Sequence, residues 1–97
     1  MIRATNITMT CAGCPSQWEG QTDDGRWYYI RYRHGSGYIA VGDSVSDAIM
    51  GEIIAAFAPP GANGFHGVLS TAEMQRLTVG AVDWSGTEVI PGAEGDE

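Results

Sequence analysis

The sequence predicts an α+β domain, with an antiparallel meander of three to four strands followed by two helices packed on one face of the sheet. The run from Arg26 to Arg33 is the densest aromatic and β-branched segment, and it has turn residues at both ends, as expected of a central strand. At Gly42 the apolar period changes from about 2 to about 3.6 residues, which indicates a helix. Strands grouped before helices are typical of α+β domains.

The central strand has two chemically different faces, because successive side chains of a strand point to opposite sides. Tyr28, Ile30 and Tyr32 share the side that suits a packed core. The other side combines aromatic rings with guanidinium groups, a composition enriched at protein interfaces. The predicted contact surface consists of Trp27, Tyr29, Arg31 and Arg33, with Trp18 of the preceding strand beside them. The alternative is that Trp18, Trp84 and the C-terminal segment cover this face as ordinary packing.

The remaining strands and turns follow from alternation and turn chemistry. The first stretch, Ile2 to Thr10, alternates loosely and is predicted to be an edge strand. Asp-Gly and Gly-rich connections supply the left-handed conformations that tight hairpins need. The predicted order is a strand at Ser16–Thr22, a turn at 23–25, the central strand, a turn at 34–37 and a strand at Tyr38–Val41 whose Ile39 and Val41 lie beside Ile30.

Two helices are predicted from their N-terminal capping signals. Ser44 with Asp47 opens a helix that should run to Phe57, where the following Pro59 and Pro60 end it. The second predicted helix begins after Ser70, with Glu73 as the capping partner, and reaches Leu77 or Thr78 with Met74 and Leu77 facing inward. The glycine-rich stretch 61–67 between them is predicted to be a loop, and Trp84–Ile90 a short strand or extended segment.

Length and charge limit the possible functions. Residues 1–90 of the 97 form one predicted domain, and 91–97 form an acidic flexible tail. No apolar run approaches the roughly 20 residues of a membrane span, and no signal-peptide pattern is present, so a cytoplasmic protein is expected. The net charge of −7, with no lysine, disfavours direct nucleic-acid binding. Mimicry of nucleic acid is a lesser alternative, because the carboxylates are dispersed.

Cys11 and Cys14 have the spacing of a metal knuckle or a redox pair. Structural zinc needs four ligands, and His34 and His66 stand apart from any second knuckle. One hypothesis is therefore a zinc-stabilised structural or oligomeric domain that shares these cysteines across a dimer. A redox role would require the pair to open a helix, and the remaining interpretation is two reduced thiols at a strand kink.

The sequence gives little indication of an enzyme or of a cofactor. His66, in the glycine-rich loop, is a candidate general base, but no serine or cysteine has the context of an activated nucleophile. The glycines at 61, 64 and 67 lack the lysine and preceding strand of a phosphate-binding loop. We therefore expect a non-enzymatic protein without a cofactor, whose partner is another protein or a second copy of itself.

The segment from Cys11 to Gly42 resembles small orphan proteins of actinobacteriophages and related mobile elements. The resemblance rests on a Cys-containing lead-in, Trp-Glu-Gly, an Asp-Gly turn and Tyr-x-Arg-Tyr-Arg before a glycine turn, and it covers about a third of the chain. It implies a non-enzymatic role in the host cytoplasm, such as host takeover, superinfection exclusion or anti-defence. It transfers no specific activity or site.

Overall fold

The computed structural model describes residues 1–12, 16–49, 51–61 and 69–90. Its main feature is a six-stranded sheet with the strand order β6-β5-β4-β3-β2-β8, and β1 pairs with β7 in a separate two-stranded sheet. The strands are β1 (Ile2–Arg3), β2 (Asn6–Ala12), β3 (Ser16–Gln21), β4 (Trp27–Arg33), β5 (Ser36–Gly42), β6 (Glu52–Phe57), β7 (Val82–Asp83) and β8 (Glu88–Ile90). The helices are α1 (Val45–Ile49) and α2 (Thr71–Leu77).

The predicted fold class, α+β with a meander and two helices on one sheet face, is wrong. The described chain is mostly β, the sheet is mixed, and both helices are short. The meander itself is present, because β2, β3, β4 and β5 pair in sequence as antiparallel neighbours. The fold differs from the prediction in what flanks the meander, namely β6 on one side and β8 on the other.

The two hairpin turns that flank β4 are confirmed. Gly25 has a φ of 87° in the connection from β3 to β4. His34 and Gly35 have φ values of 57° and 85°, and Arg33 pairs with Ser36, so a two-residue loop joins β4 to β5. Positive φ at both central residues is the geometry that matches the twist of a hairpin. This turn fixes the register that places Ile39 opposite Ile30.

The predicted helix from Ser44 to Phe57 is wrong beyond its first turn. The Ser44 hydroxyl does accept a hydrogen bond from the Asp47 N–H at 3.1 Å, and α1 follows, but it ends at Ile49. Glu52–Phe57 instead forms β6, antiparallel to β5. The apolar residues that fit a helical stripe include the β-branched Ile53, and pairing with Ala40 of β5 gives it a place in the sheet.

The strand predicted for Ile2 to Thr10 is present in part as β2, but its predicted position at the edge of the sheet is wrong. β2 lies inside the sheet, between β3 and the parallel strand β8, and Ile2–Arg3 separates from it to pair in parallel with β7. The segment Trp84–Ile90 therefore ends in a strand, one of the two forms expected for it. Residues 91–97, the predicted tail, lie outside the described residues.

α2 covers the core face of the main sheet. Ser70 caps it by accepting from the Glu73 N–H at 3.1 Å, and both Met74 and Leu77 face inward, as predicted. The Trp18 indole N–H donates to the Thr71 hydroxyl at 2.8 Å, which joins β3 to α2. The core cluster contains Ala4, Ile7, Met9, Trp18, Tyr28, Ile30, Tyr32, Ile39, Val41, Leu69, Met74 and Val82.

α1 lies on the opposite side of the sheet from α2. Gly42 pairs with Trp27, so a side chain at either position projects to the same face. A Cβ on Gly42 would come within 2.6 Å of the Ala48 backbone nitrogen, which places α1 over this corner. Ala48 is buried outside the core cluster. Neither helix in the described chain has the length and hydrophobicity of a membrane span.

Candidate protein-binding face

The face of the sheet opposite the core is built from rows of residues that run across the strands. We call it the aromatic–arginine face. One row is Cys11, Gln17, Arg31, Tyr38 and Ala56. The next row is Thr8, Glu19, Tyr29, Ala40 and Ile53. A shorter row, Gln21, Trp27 and Gly42, closes the corner beside α1, and Arg33 continues β4 at the other end.

Four of the five predicted binding residues lie on this face, and Trp18 does not. Trp18 pairs with Ile30 and is completely buried on the core side under α2. The expectation that it lies beside Trp27 is therefore wrong. Trp84 also lies on the core side, where its ring meets Tyr28 edge-on at 5.8 Å. Neither tryptophan covers the aromatic–arginine face, so that part of the alternative is wrong, and the C-terminal residues 91–97 that it also named lie outside the described residues.

Tyr29 lies in the most buried part of the face. It is 5% exposed, and its ring lies 6.3 Å from that of Tyr38, tilted by 57°. Burial is the main cause that raises the pKa of Tyr29, and the neighbouring Tyr38 raises it further, while Arg31 opposes the shift. Tyr29 is therefore a neutral phenol at neutral pH, and the more accessible Tyr38 extends the aromatic surface toward β6.

Arg31 is the chemically unusual residue of the face. Its side chain is half-buried, and its Nε is shielded from solvent without an acceptor among the described residues. A buried donor without a partner is rare in folded proteins and costs about 1–3 kcal/mol. Within the described chain, ion pairs are formed by Arg26 with Asp24 and by Arg76 with Glu73, and neither involves Arg31 or the exposed Arg33.

The face therefore carries two arginines that are not neutralised by ion pairs within the described chain, in a protein of net charge −7. Guanidinium groups present a planar array of donors that matches carboxylates, and they stack on aromatic rings. Such a surface can bind a partner that presents an acidic or carbonyl acceptor beside an apolar contact.

Trp27 lies at the edge of the face that α1 partly covers. It is half-buried, and its neighbour across the strand is Gly42, against which the α1 backbone packs. This location makes Trp27 part of the support of α1 as well as a surface residue. The accessible centre of the face is therefore displaced from Trp27 toward Arg31, Arg33 and Tyr38.

The described residues show no metal site. No cluster of three or more His, Cys, Asp or Glu side chains capable of holding a metal ion occurs in this part of the chain. Cys11 lies half-buried on β2, and His34 occupies the exposed turn after β4. Cys14 and His66 lie outside the described residues. The zinc pair and the catalytic loop histidine therefore stay predictions.

Tyr38 and Gln17 belong to the face but were not predicted as part of it. The sequence does contain a signal for Tyr38. A two-residue loop at His34 and Gly35 fixes the register of β5 on β4 and brings Tyr38 opposite Arg31. Gln17 has a similar signal, because the turn at 23–25 joins Thr22 to Arg26 and the same register brings Gln17 opposite Arg31.

Comparisons with protein-family models, with curated proteins and with solved structures found no match for this chain.

Proposed function

We propose that this chain is a small, non-enzymatic protein-binding module that acts through the aromatic–arginine face. The observation that carries the proposal is the shielded Nε of Arg31, which has no acceptor among the described residues. A partner that supplies a carboxylate or carbonyl oxygen there would satisfy this donor. Tyr38 and Arg33 flank the position and supply the aromatic and cationic contacts that are enriched in binding hot spots.

The resemblance to small actinobacteriophage proteins favours a host protein as the partner. The biological outcome would then be host takeover, superinfection exclusion or anti-defence in the host cytoplasm. The rest of the chemistry is compatible with this role, because a strongly acidic surface around a local basic patch favours one docking orientation. Truncation of a buried arginine at an interface centre commonly costs about 2 kcal/mol or more of binding free energy.

The test compares two double variants that remove the same charge. Arg31→Gln/Arg33→Gln changes the face, whereas Arg3→Gln/Arg76→Gln changes two exposed arginines elsewhere. Tagged wild type and both variants are used to capture partners from an actinobacterial lysate, with identification by mass spectrometry. The captured protein is then purified and titrated calorimetrically against each chain.

We expect a stoichiometric partner that the wild type and the Arg3/Arg76 variant bind and that the Arg31/Arg33 variant loses by about 30-fold or more, the equivalent of about 2 kcal/mol. Far-UV circular dichroism should be the same for all three proteins. A partner bound equally by all of them would place the interface elsewhere. If no partner is captured, the proposal of a host-protein target fails.

A further inference from the structure

The outer edge of β6 is the most apolar accessible edge of the sheet. β6 is the last strand of the sheet in the described chain, and five of its six residues are apolar. Ile53 is 60% exposed and Ile54 is 37% exposed. A cavity of about 330 Å³ lies between β6 and the segment Leu77–Ala81. Exposed apolar edge strands readily pair with another strand, and natural proteins usually protect them with charges.

The charge distribution indicates what can approach this edge. No Asp, Glu, Lys or Arg occurs from Ile53 to Ala72 in a chain that otherwise carries twelve acidic residues. Two copies of so acidic a chain repel each other over most of their surface, and at β6 they can meet without bringing many negative charges together. Apart from Glu52 at its first position, this apolar edge also offers no charge that selects a charged partner.

The register of β6 makes it complementary to a second copy of itself. Ala55 pairs with Ile39, and Ile53 pairs with Ala40, so Ile54 is the extra residue of a bulge. The bulge places Ile53 and Ala56 on the same face, although they are three residues apart. In an antiparallel pair of β6 strands, Ile53 of one copy would oppose Ala56 of the other. Each large side chain would then meet a small one.

The same register keeps the only charge of the strand apart from its copy. Glu52 would oppose Phe57 of the second chain, so the two Glu52 residues would lie about 17 Å from each other. Parallel self-pairing would place them side by side. The antiparallel arrangement is also the closed two-fold contact that most homodimers use.

We propose that this protein self-associates through antiparallel pairing of β6 strands, which joins two sheets into one. A two-fold axis perpendicular to the sheet keeps both aromatic–arginine faces on the same side. One short strand per chain buries little area, so the dimer belongs to the weak, transient class. This inference does not depend on the proposed function of the aromatic–arginine face.

The test is sedimentation velocity of the wild type and two double variants from about 1 μM to about 1 mM, the range in which weak dimers dissociate. Ile53→Lys/Ile54→Lys introduces charges on the β6 edge. The matched control is Val89→Lys/Ile90→Lys, because these two residues lie in β8 at the opposite end of the sheet and are 61% and 38% exposed. Both variants change the net charge from −7 to −5, which weakens general repulsion between copies.

We expect the wild type and the control to shift toward twice the mass of the chain, and the Ile53/Ile54 variant to remain monomeric although its repulsion is reduced. Hydrogen exchange of the wild type gives a test without substitution, because the amides of 52–57 should exchange more slowly as the concentration rises. A wild type that is monomeric throughout would overturn the proposal. A dimer that persists in the Ile53/Ile54 variant, or is lost in the control, would do the same.

Discussion

The hydrogen bond between Trp18 and Thr71 allows a quantitative test of how the sheet holds α2. Trp18 is completely buried, Thr71 is 7% exposed, and the indole N–H donates to the threonine hydroxyl at 2.8 Å. Thr71→Val keeps the β-branched shape and replaces the hydroxyl by a methyl group. The indole N–H then stays buried without its acceptor, which costs about 1–3 kcal/mol. We expect the free energy of unfolding to fall by that amount.

A double-mutant cycle separates this pair from other effects of the substitution. Trp18→Phe removes the N–H together with part of the ring, so it lowers stability by itself through lost packing. In the Trp18→Phe background no buried indole donor remains to be left unsatisfied. Thr71→Val should therefore be less costly there by about 1 kcal/mol or more, which is the coupling energy of a buried contact.

The assay is urea denaturation of the four proteins, followed by far-UV circular dichroism. The slope of the free energy against urea concentration should be the same for all four, because each exposes a similar surface on unfolding. If Thr71→Val lowers stability equally in the wild-type and Trp18→Phe backgrounds, the hydrogen bond contributes nothing specific. The assignment of α2 to the core face through this contact would then be refuted.

Two further predictions concern the interior of the domain. Gly51→Ala should lower the free energy of unfolding by about 1–3 kcal/mol in urea titrations, because a Cβ there would overlap the Val41 carbonyl oxygen and approach that of Asp47 at 2.7 Å. Gly80→Ala, where no atom lies within 4 Å, is the control, and equal stability of the two variants would contradict the close approach. Burial raises the pKa of Tyr28 well above its ordinary value of 10.0. Because the pKa of Tyr28 is higher in the folded than in the unfolded state, its contribution to the free energy of unfolding is complete below about pH 10 and is lost as the pH rises further. As the pH rises above about 10, the urea midpoint of the wild type should therefore decrease, and that of Tyr28→Phe should decrease less steeply. The same dependence of the midpoint on pH in both proteins would exclude Tyr28 as the cause.

The parts of the fold that the sequence predicted correctly are those with local signals. The turns beside β4 depend on glycine and on residues that accept positive φ, and α2 depends on the capping pair Ser70 and Glu73. Alternation within β4 also separates Tyr28 and Ile30 from the residues of the aromatic–arginine face. Each of these features is determined within a few neighbouring residues.

The parts that were wrong depend on contacts between distant segments. β2 pairs in parallel with β8, which joins the two ends of the described chain, and β1 pairs with β7 over a similar separation. The stretch after α1 fits a helical stripe as well as an edge strand, and pairing with β5 decides between them. Trp18 is an exception, because the turn at 23–25 joins Thr22 to Arg26 and this local register already places Trp18 opposite Ile30 on the core side.

The aromatic–arginine face and the β6 edge make different physical demands and can fail separately. The face depends on Arg31 and Arg33, so its binding should weaken at high salt, whereas pairing of the mainly apolar β6 edge should strengthen as salt screens the repulsion between two acidic chains. The two surfaces nevertheless adjoin, because the rows through Arg31 and Tyr29 end at Ala56 and Ile53 of β6. A β6 dimer would therefore present two such faces side by side, and a target with two copies of the binding site would be held more tightly than by one face alone.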